Sequence, residues 1–213
     1  MSAAAADRIF AGLFALHPGL VPLRPSVLAA FASLRDVLRA GGSVLICGNG
    51  GSAADSEHIA GELAKPCGLA RPLPPGLTNA LRAAGDDGYL ATALQAGFPV
   101  LSLVSQAALI TAIANDQGAD LVFAQQVLAY GRPGDLLWGL STSGSSGNVV
   151  CALRAARAAG LRTLGFSGPA GGAMAELCDV LVAAPGASTP EVQDAHRPLY
   201  HALCLAVEAE WYG

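Results

Sequence analysis

Short runs of almost continuous apolar residues recur along the chain. They predict five β-strands, at residues 43–47, 98–104, 135–140, 162–167 and 179–184. Because neither face of such a run is polar, the runs are typical of parallel strands that helices cover on both sides.

Amphipathic segments lie around and between these runs and predict the helices. Their ranges are about 3–16, 25–40, 53–64, 107–130, 147–159 and 189–211. Strands that alternate with helices predict an α/β domain: a doubly wound, five-stranded parallel sheet with right-handed crossovers. We expect one domain over residues 1–213, with N-terminal helices in 1–40 and an inserted loop with a short helix in 66–97.

The composition indicates which kinds of macromolecule the protein is expected to bind. Charged residues make up only 13% of the chain, hydrophobic residues 53%, and the net charge is −4. So few charges suggest that part of the surface is buried against other subunits. No run of Lys and Arg is present, which argues against a nucleic-acid or anionic-membrane surface.

The location of the protein is predicted from its N-terminus and its cysteines. Residues 1–20 lack a basic region and a clear cleavage motif, so we interpret them as an amphipathic helix rather than a signal peptide. No apolar run is long enough to cross a bilayer. Five cysteines without paired spacing indicate reduced thiols and therefore a cytoplasmic protein.

Two of the predicted strands end in turns that suit a phosphorylated ligand. The first strand leads into GNGGS (48–52), and the third leads into STSGSSGN (141–148). In such sheets ligands bind beyond the carboxyl ends of the strands, and helix N-termini attract anions. We therefore favour a phosphate held by neutral donors, with hydroxyl groups from Ser141, Thr142, Ser143, Ser145 and Ser146.

Both turns also allow a simpler interpretation. A cluster of Ser and Thr before a helix is often only a cap and a flexible loop. GNGGS allows close approach of a ligand, with Asn49 near a sugar hydroxyl and Ser52 near phosphate or capping the next helix. It is alternatively a tight strand-to-helix turn. It is not a dinucleotide fingerprint, because Ala53 stands where a glycine is required.

Two distant segments contain residues that could bind a metal ion. His58 and Glu62 are one helical turn apart on a predicted helix, and Gln193 and His201 lie on nearly one face of the final helix. Together they would form a tetrahedral N/O site that suits zinc. The alternative is a surface His–Glu pair without function. His196 lies on a different face from His201, and we interpret it as structural or supporting.

Four stretches together resemble a known family: CGNGGSAADSEHIAGEL, TAIANDQG, GLSTSGSSGNV and EVQDAHRPLYHALC. They are similar to the phosphoheptose isomerase family of the flavodoxin-like sugar isomerase (SIS) fold. The resemblance implies a homotetramer with active sites at subunit interfaces, and zinc bound by His58, Glu62, Gln193 and His201. It implies that Glu62 and His201 act as the acid–base pair that isomerises sedoheptulose 7-phosphate through an enediol. It also implies substrate contacts at Asn49, Gly50, Gly51, Ser52, Glu62, Asn115, Asp116, Ser141, Thr142, Ser143, Ser146 and Gln193.

The chain also departs from the family pattern. Gln106 stands where the family usually has Asp, Lys65 lies near the place of a family Arg, and residues 66–97 look inserted. Because these changes surround the sugar end of the pocket, two alternatives stay open. They are an isomerase of another phosphosugar and a non-catalytic phosphosugar-binding regulator.

Overall fold

A computed structural model describes residues 3–213 and divides the chain into alternating helices and strands. The helices are α1 (Ala3–Leu16), α2 (Arg24–Arg39), α3 (Gly51–Ala64), α4 (Pro75–Ala83), α5 (Tyr89–Ala93), α6 (Ala107–Asp116), α7 (Ala124–Tyr130), α8 (Gly147–Ala158) and α9 (Thr189–Tyr212). The strands are β1 (Val44–Cys47), β2 (Val100–Ser102), β3 (Leu136–Ser141), β4 (Arg162–Ser167) and β5 (Val180–Ala183). In the described range, no helix has both the length and the apolar character that a membrane span requires.

The five strands form one parallel sheet in the order β2-β1-β3-β4-β5, which confirms the predicted fold class. From β1 the chain passes outward to β2 and then returns to β3 on the other side, so the direction of winding reverses between β1 and β3. Ligands bind at such a switch point, beyond the carboxyl ends of the strands. Cys47 pairs with Gly139, so the turns that follow these two strands are neighbours.

Helices cover both faces of the sheet, because successive strand side chains point to opposite faces. Val44 and Ile46 of β1 pack in a core with residues of α1, α2 and α9. Leu45 and Cys47 pack in a second core with residues of α6, α7 and α8. All four strand residues are at most 2% exposed. This two-sided burial explains why the strands appear in the sequence as unbroken apolar runs.

The single helix predicted over 107–130 is wrong. The chain forms α6, a short 3₁₀ helix (Ala119–Leu121) and α7 instead. The reason is local: Gly118 has φ +135°, a conformation that ends a right-handed helix and that residues with a side chain rarely adopt. The helix predicted over 189–211 is confirmed. Helix α9 runs over Thr189–Tyr212 and is not interrupted by Pro198.

The segment 66–97 has more structure than the predicted loop with one short helix. It contains α4 and α5, and Arg71 within it is fully buried. The Arg71 backbone N–H donates to Gln95 Oε1 at 2.7 Å, which joins the two ends of the segment. That the segment is an insertion relative to the family stays a prediction.

Candidate active site

Helices α3 and α9 bring three of the predicted metal ligands together. His58 Nε2 lies 3.0 Å from His201 Nε2 and 3.2 Å from Glu62 Oε1, and His201 Nε2 lies 3.5 Å from the same carboxylate oxygen. One atom from each residue therefore faces a common centre. We call His58, Glu62 and His201 the three-residue group.

The geometry of the three-residue group fits a divalent cation. With bonds of roughly 2.0–2.1 Å, two ligand atoms of a tetrahedral zinc site lie about 3.3 Å apart, which is close to all three measured distances. Glu62 Oε2 is buried, with no hydrogen-bond partner among the described residues. Two imidazole nitrogens that face each other can share only one proton, whereas a cation between them would use both lone pairs. The donor set, two nitrogens and a carboxylate, is one that zinc accepts.

The side chains around the three-residue group are held by a hydrogen bond between the same two helices. Tyr200 of α9 donates its hydroxyl proton to Asp55 Oδ1 of α3 at 3.1 Å. Its ring centroid is 4.7 Å from that of His201 and 5.8 Å from that of His58. Burial and the Asp55 charge raise the pKa of Tyr200 to about 12, so the phenol stays a neutral donor.

Cys204 lies one turn after His201 on α9 and is buried. Burial, and after it the negative charge of Glu62, raise the pKa of the Cys204 thiol well above its ordinary value. Cys204 is therefore a neutral residue that packs against the three-residue group.

His196 is structural, as the sequence indicated. It is fully buried, and its Nε2 donates to the Ser167 carbonyl oxygen at 3.0 Å. Burial lowers the pKa of the imidazole, so the ring is neutral. His196 therefore links α9 to β4 and is not part of the three-residue group.

The fourth predicted ligand, Gln193, lies beside the first predicted turn, GNGGS, rather than in the three-residue group. A Cβ atom added to Gly51 would be 2.4 Å from Gln193 Nε2, so the amide is pressed against the Gly51 backbone. Within residues 3–213, Gln193 makes no hydrogen bond to His58, Glu62 or His201.

The turns after β1 and β3 enclose one cavity of about 270 Å³. We call it the hydroxyl pocket; its lining is Asn49, Gly50, Gly51, Ser52, Leu140, Ser141, Thr142, Ser146, Thr189 and Gln193. Ser141 Oγ lies 2.8 Å from Ser146 Oγ and 3.3 Å from Ser143 Oγ. The structure thus places both predicted turns at one site, as the switch point requires.

Two helices begin at the hydroxyl pocket. The N-cap residues are Gly50 for α3 and Ser146 for α8, and neither makes a side-chain cap. Backbone N–H groups in the first turns are therefore available to an anion, and the helix dipoles favour negative charge there. The expectation that Ser52 caps α3 is wrong, because the helix begins one residue earlier, at Gly51; Ser52 is instead a buried part of the pocket lining.

Asn115 and Asp116 are not brought to the hydroxyl pocket within one chain. They lie at the end of α6, are exposed, and bond to each other, with Asn115 Nδ2 2.7 Å from Asp116 Oδ1. Neither lines the pocket.

Sequence reasoning missed Asn148 and Thr189 at this site. Asn148 and Asn49 form a reciprocal amide pair, with N···O distances of 2.8 and 2.9 Å, which joins the two turns. Thr189, the first residue of α9, also lines the pocket. Asn148 ends the motif STSGSSGN, so its amide was a signal in the sequence, whereas nothing local singled out Thr189.

Comparisons with known proteins identify relatives over the full chain. A family model described as SIS domain matches residues 78–168. A phosphoheptose isomerase of Burkholderia pseudomallei is 39% identical over 212 residues, which cover 100% of this chain and 93% of the relative. One from Rhodospirillum rubrum is 40% identical over 184 residues, 86% of this chain and 85% of the relative.

Solved structures agree with these relatives. The phosphoheptose isomerase of Neisseria gonorrhoeae has a TM-score of 0.72 and 31% identity, covering 97% of this chain and 94% of that one. The sugar isomerase domain of an RpiR transcription factor from Sphaerobacter thermophilus has a TM-score of 0.51 and 17% identity, over 96% and 89%. The second likeness shows the shared fold alone.

Proposed function

The chain belongs to the phosphoheptose isomerase family, and from this we propose that it interconverts sedoheptulose 7-phosphate and D-glycero-D-manno-heptose 7-phosphate. The observation that carries the proposal is the convergence of His58, Glu62 and His201. A phosphosugar sensor needs a phosphate pocket but has no need for a base and an acid at the other end of the sugar. The complete group therefore favours the enzyme over the regulator.

We assign the phosphate end of the substrate to the hydroxyl pocket. Neutral donors would hold it: hydroxyl groups of Ser52, Ser141, Thr142, Ser143 and Ser146 with backbone N–H groups of α3 and α8. Asn49, Gly50, Gly51 and Gln193 are the proposed contacts to the sugar, with Asn115 and Asp116 as further family positions. Binding energy from the phosphate would orient C1 and C2 for reaction.

Glu62 and His201 are the proposed acid–base pair. In the direction from ketose to aldose, Glu62 takes a proton from C1, the C–H electrons form the C1–C2 double bond, and the π electrons of the C2 carbonyl group move to O2, which gives an enediolate. His201 moves a proton from O1 to O2, and the proton held by Glu62 then reaches C2. A well-placed base of this kind contributes about 10²- to 10⁴-fold in rate.

Zinc is the proposed cofactor, with His58, Glu62, Gln193 and His201 as the residues that would hold it. When bound, zinc would supply Lewis-acid stabilisation of the negative charge that develops on the sugar oxygens. Gln193 lies against Gly51 and would have to turn toward the group to join it. Glu62 Oε1 faces both imidazoles, so the same carboxylate is proposed both as a metal ligand and as the base. A coordinated carboxylate would be a weaker base, so His201 is the alternative group for proton removal.

The proposal extends to assembly and location. We expect a cytoplasmic homotetramer with active sites at subunit interfaces. His58 is half exposed, and an apolar groove of about 360 Å³ adjoins His201, lined by residues of α1 and α9 that include Leu13, Leu16 and Leu205. A second subunit would cover both. Light scattering coupled to gel filtration measures the assembly state.

The experiment that tests the function is incubation with sedoheptulose 7-phosphate, with and without a chelator, followed by proton NMR. We expect a new aldose anomeric signal that the chelator abolishes. Turnover of a different ketose phosphate alone would identify an isomerase of another phosphosugar. Binding without turnover of any of them would identify a regulator.

A further inference from the structure

Arg71 is a charged side chain that is completely enclosed by protein. Its Nε donates to Glu208 Oε1 at 2.7 Å, Nη1 to the Leu63 carbonyl oxygen at 2.7 Å, and Nη2 to the Glu62 carbonyl oxygen at 2.8 Å. The guanidinium carbon also lies 4.9 Å from the centroid of the Phe98 ring. A planar group with a partner at every nitrogen is fixed in one orientation.

Two of these partners are in the last turn of α3. The final carbonyl groups of a helix have no partner within the helix, and a cation near them is favoured by the helix dipole. Arg71 supplies both the donors and the charge. One of the two carbonyl groups belongs to Glu62, so Arg71 fixes the backbone of the residue whose carboxylate faces His58 and His201.

The third partner, Glu208, is on α9, about two helical turns after His201. It is also fully buried. Its carboxylate accepts the Arg71 Nε–H and three backbone N–H groups, those of Cys67 at 2.9 Å and of Gly68 and Leu69 at 2.7 Å each. Arg71 and Glu208 therefore connect the end of α3 to the helix that contains His201.

We propose that Arg71 is a positioning residue for the isomerisation: it holds the Glu62 carboxylate and His201 in register by bonding the Glu62 carbonyl group and Glu208 at once. This inference rests on the function proposed above. Arg71 is not part of the lining of the hydroxyl pocket. Loss of its contacts should therefore lower turnover and leave affinity for the phosphate end nearly unchanged.

The main test is Arg71→Lys. Lysine keeps the positive charge and can pair with Glu208, but its single ammonium cannot replace the guanidinium fork that reaches both carbonyl groups of α3. We expect kcat per folded, metal-loaded site to fall about 10- to 100-fold, with KM within about twofold, because misplacement of a reacting group costs this much. The visible spectrum of the cobalt-substituted protein should also change, since it reports the geometry of the metal ligands.

The matched control is Arg39→Lys. Arg39 pairs with Glu210 on the same helix α9 and makes no hydrogen bond to α3 in the described part of the chain. We expect it to keep the wild-type kcat and cobalt spectrum. A folded Arg71→Lys protein with a lower Tm, but with kcat and spectrum equal to those of the control, would overturn the inference, since that pattern is a structural role only.

A second variant covers the case in which Arg71→Lys does not fold. Glu208→Gln keeps the side-chain shape, but it removes the charge and leaves one accepting oxygen where two carboxylate oxygens accept from Arg71 and the backbone N–H groups, so the hold on Arg71 is weakened. The same changes in kcat and cobalt spectrum are expected, and their absence rejects the inference. If the wild type does not isomerise sedoheptulose 7-phosphate, the proposed function fails, and the cobalt spectra still decide whether Arg71 positions the three-residue group.

Discussion

The Nε2 atoms of His58 and His201 lie 3.0 Å apart, although 143 positions separate the two residues in the chain. The rings cross at 83°, so the nitrogens meet while the ring carbons stay apart. Glu62, one turn after His58 on α3, completes the group. This contact turns a common i, i+4 pair on one helix into a set of three converging donors.

The first prediction concerns metal content. His58→Ala should lose bound zinc after dialysis, as measured by elemental analysis. The affinity should fall by more than about 100-fold, because loss of residues that merely support a ligand already costs about 10- to 100-fold. Glu57→Gln is the matched control, because Glu57 is exposed, lies on the same helix as His58 and is outside the three-residue group. Unchanged zinc in His58→Ala would count against the metal site.

The second prediction concerns the base. Glu62→Gln should bind the sugar phosphate with near-normal affinity by calorimetry, because the hydroxyl pocket is intact, and kcat should fall by about 10²- to 10⁴-fold at saturating metal. Glu57→Gln, an exposed change on the same helix, should behave as the wild type. Near-normal turnover in Glu62→Gln would assign proton removal to His201 instead.

The third prediction uses two glycines of α3 as a matched pair. In Gly51→Ala, the new methyl group would meet Gln193 at 2.4 Å and displace its amide from the pocket. We expect KM to rise roughly 2- to 10-fold, the value of one hydrogen bond. Gly61 has open space at its Cβ position, so Gly61→Ala should stabilise the helix by about 0.5–1 kcal/mol without changing KM.

Zinc content distinguishes two roles of Gln193. If Gln193 turns to the metal during function, Gly51→Ala should also lower zinc affinity. If KM changes and zinc content does not, Gln193 contacts only the substrate. Equal kinetics in Gly51→Ala and the wild type would remove Gln193 from the site.

The fold could be predicted from the sequence because strands that are buried on both faces consist of consecutive apolar residues. Each strand is an apolar run, and the predicted ranges differ from the observed ones mainly at their ends, as for 98–104 against Val100–Ser102. In the sequence only Gly118 marks the break between α6 and α7, since both helices continue one apolar pattern. It depends on the backbone of Gly118, which a pattern of side chains does not encode.

Part of the candidate site could likewise be predicted from the sequence, and part could not. Helical periodicity predicts that His58 and Glu62 are neighbours, and the strand ends predict that the two turns meet. Arg71 could not be found like this, because its segment is rich in Pro, Gly and Ala and its ionic partner, Glu208, is 137 positions away. Its importance follows only from the packing of α9 against α3.

The fourth prediction concerns Asn148. Asn148→Ala removes both hydrogen bonds to Asn49, so the Asn49 amide loses its fixed orientation. Two exposed hydrogen bonds at the low end of their range, about 0.5 kcal/mol each, predict a rise in KM of roughly fivefold with kcat unchanged. Asn79→Ala on the exposed face of α4 should change neither constant. A KM equal to that of this control would show that the amide pair does not orient a substrate contact.

The last prediction follows from the ionisation of Glu208. Burial opposes the carboxylate, but the backbone N–H groups of Cys67 and Leu69 and the charge-assisted bond from Arg71 outweigh it and lower the pKa of Glu208 below its ordinary value of 4.5. The folded state therefore binds this proton less tightly than the unfolded state. Its contribution to stability is fully present above pH 4.5 and is lost as the pH falls through the lowered pKa.

Glu208→Gln should consequently differ most from the wild type near neutral pH. Breaking a buried ion pair costs about 3 kcal/mol or more, which corresponds to a decrease in Tm of roughly 6–12 °C in a chain of this size. As the pH falls below 4.5, protonation removes the same charge from the wild type, so the difference in Tm should shrink. Thermal unfolding of both proteins at several pH values between about 3 and 7 measures how this difference in Tm depends on pH. A difference that stays constant or grows on acidification would mean that the Glu208 carboxylate is not stabilised by Arg71 in the folded protein.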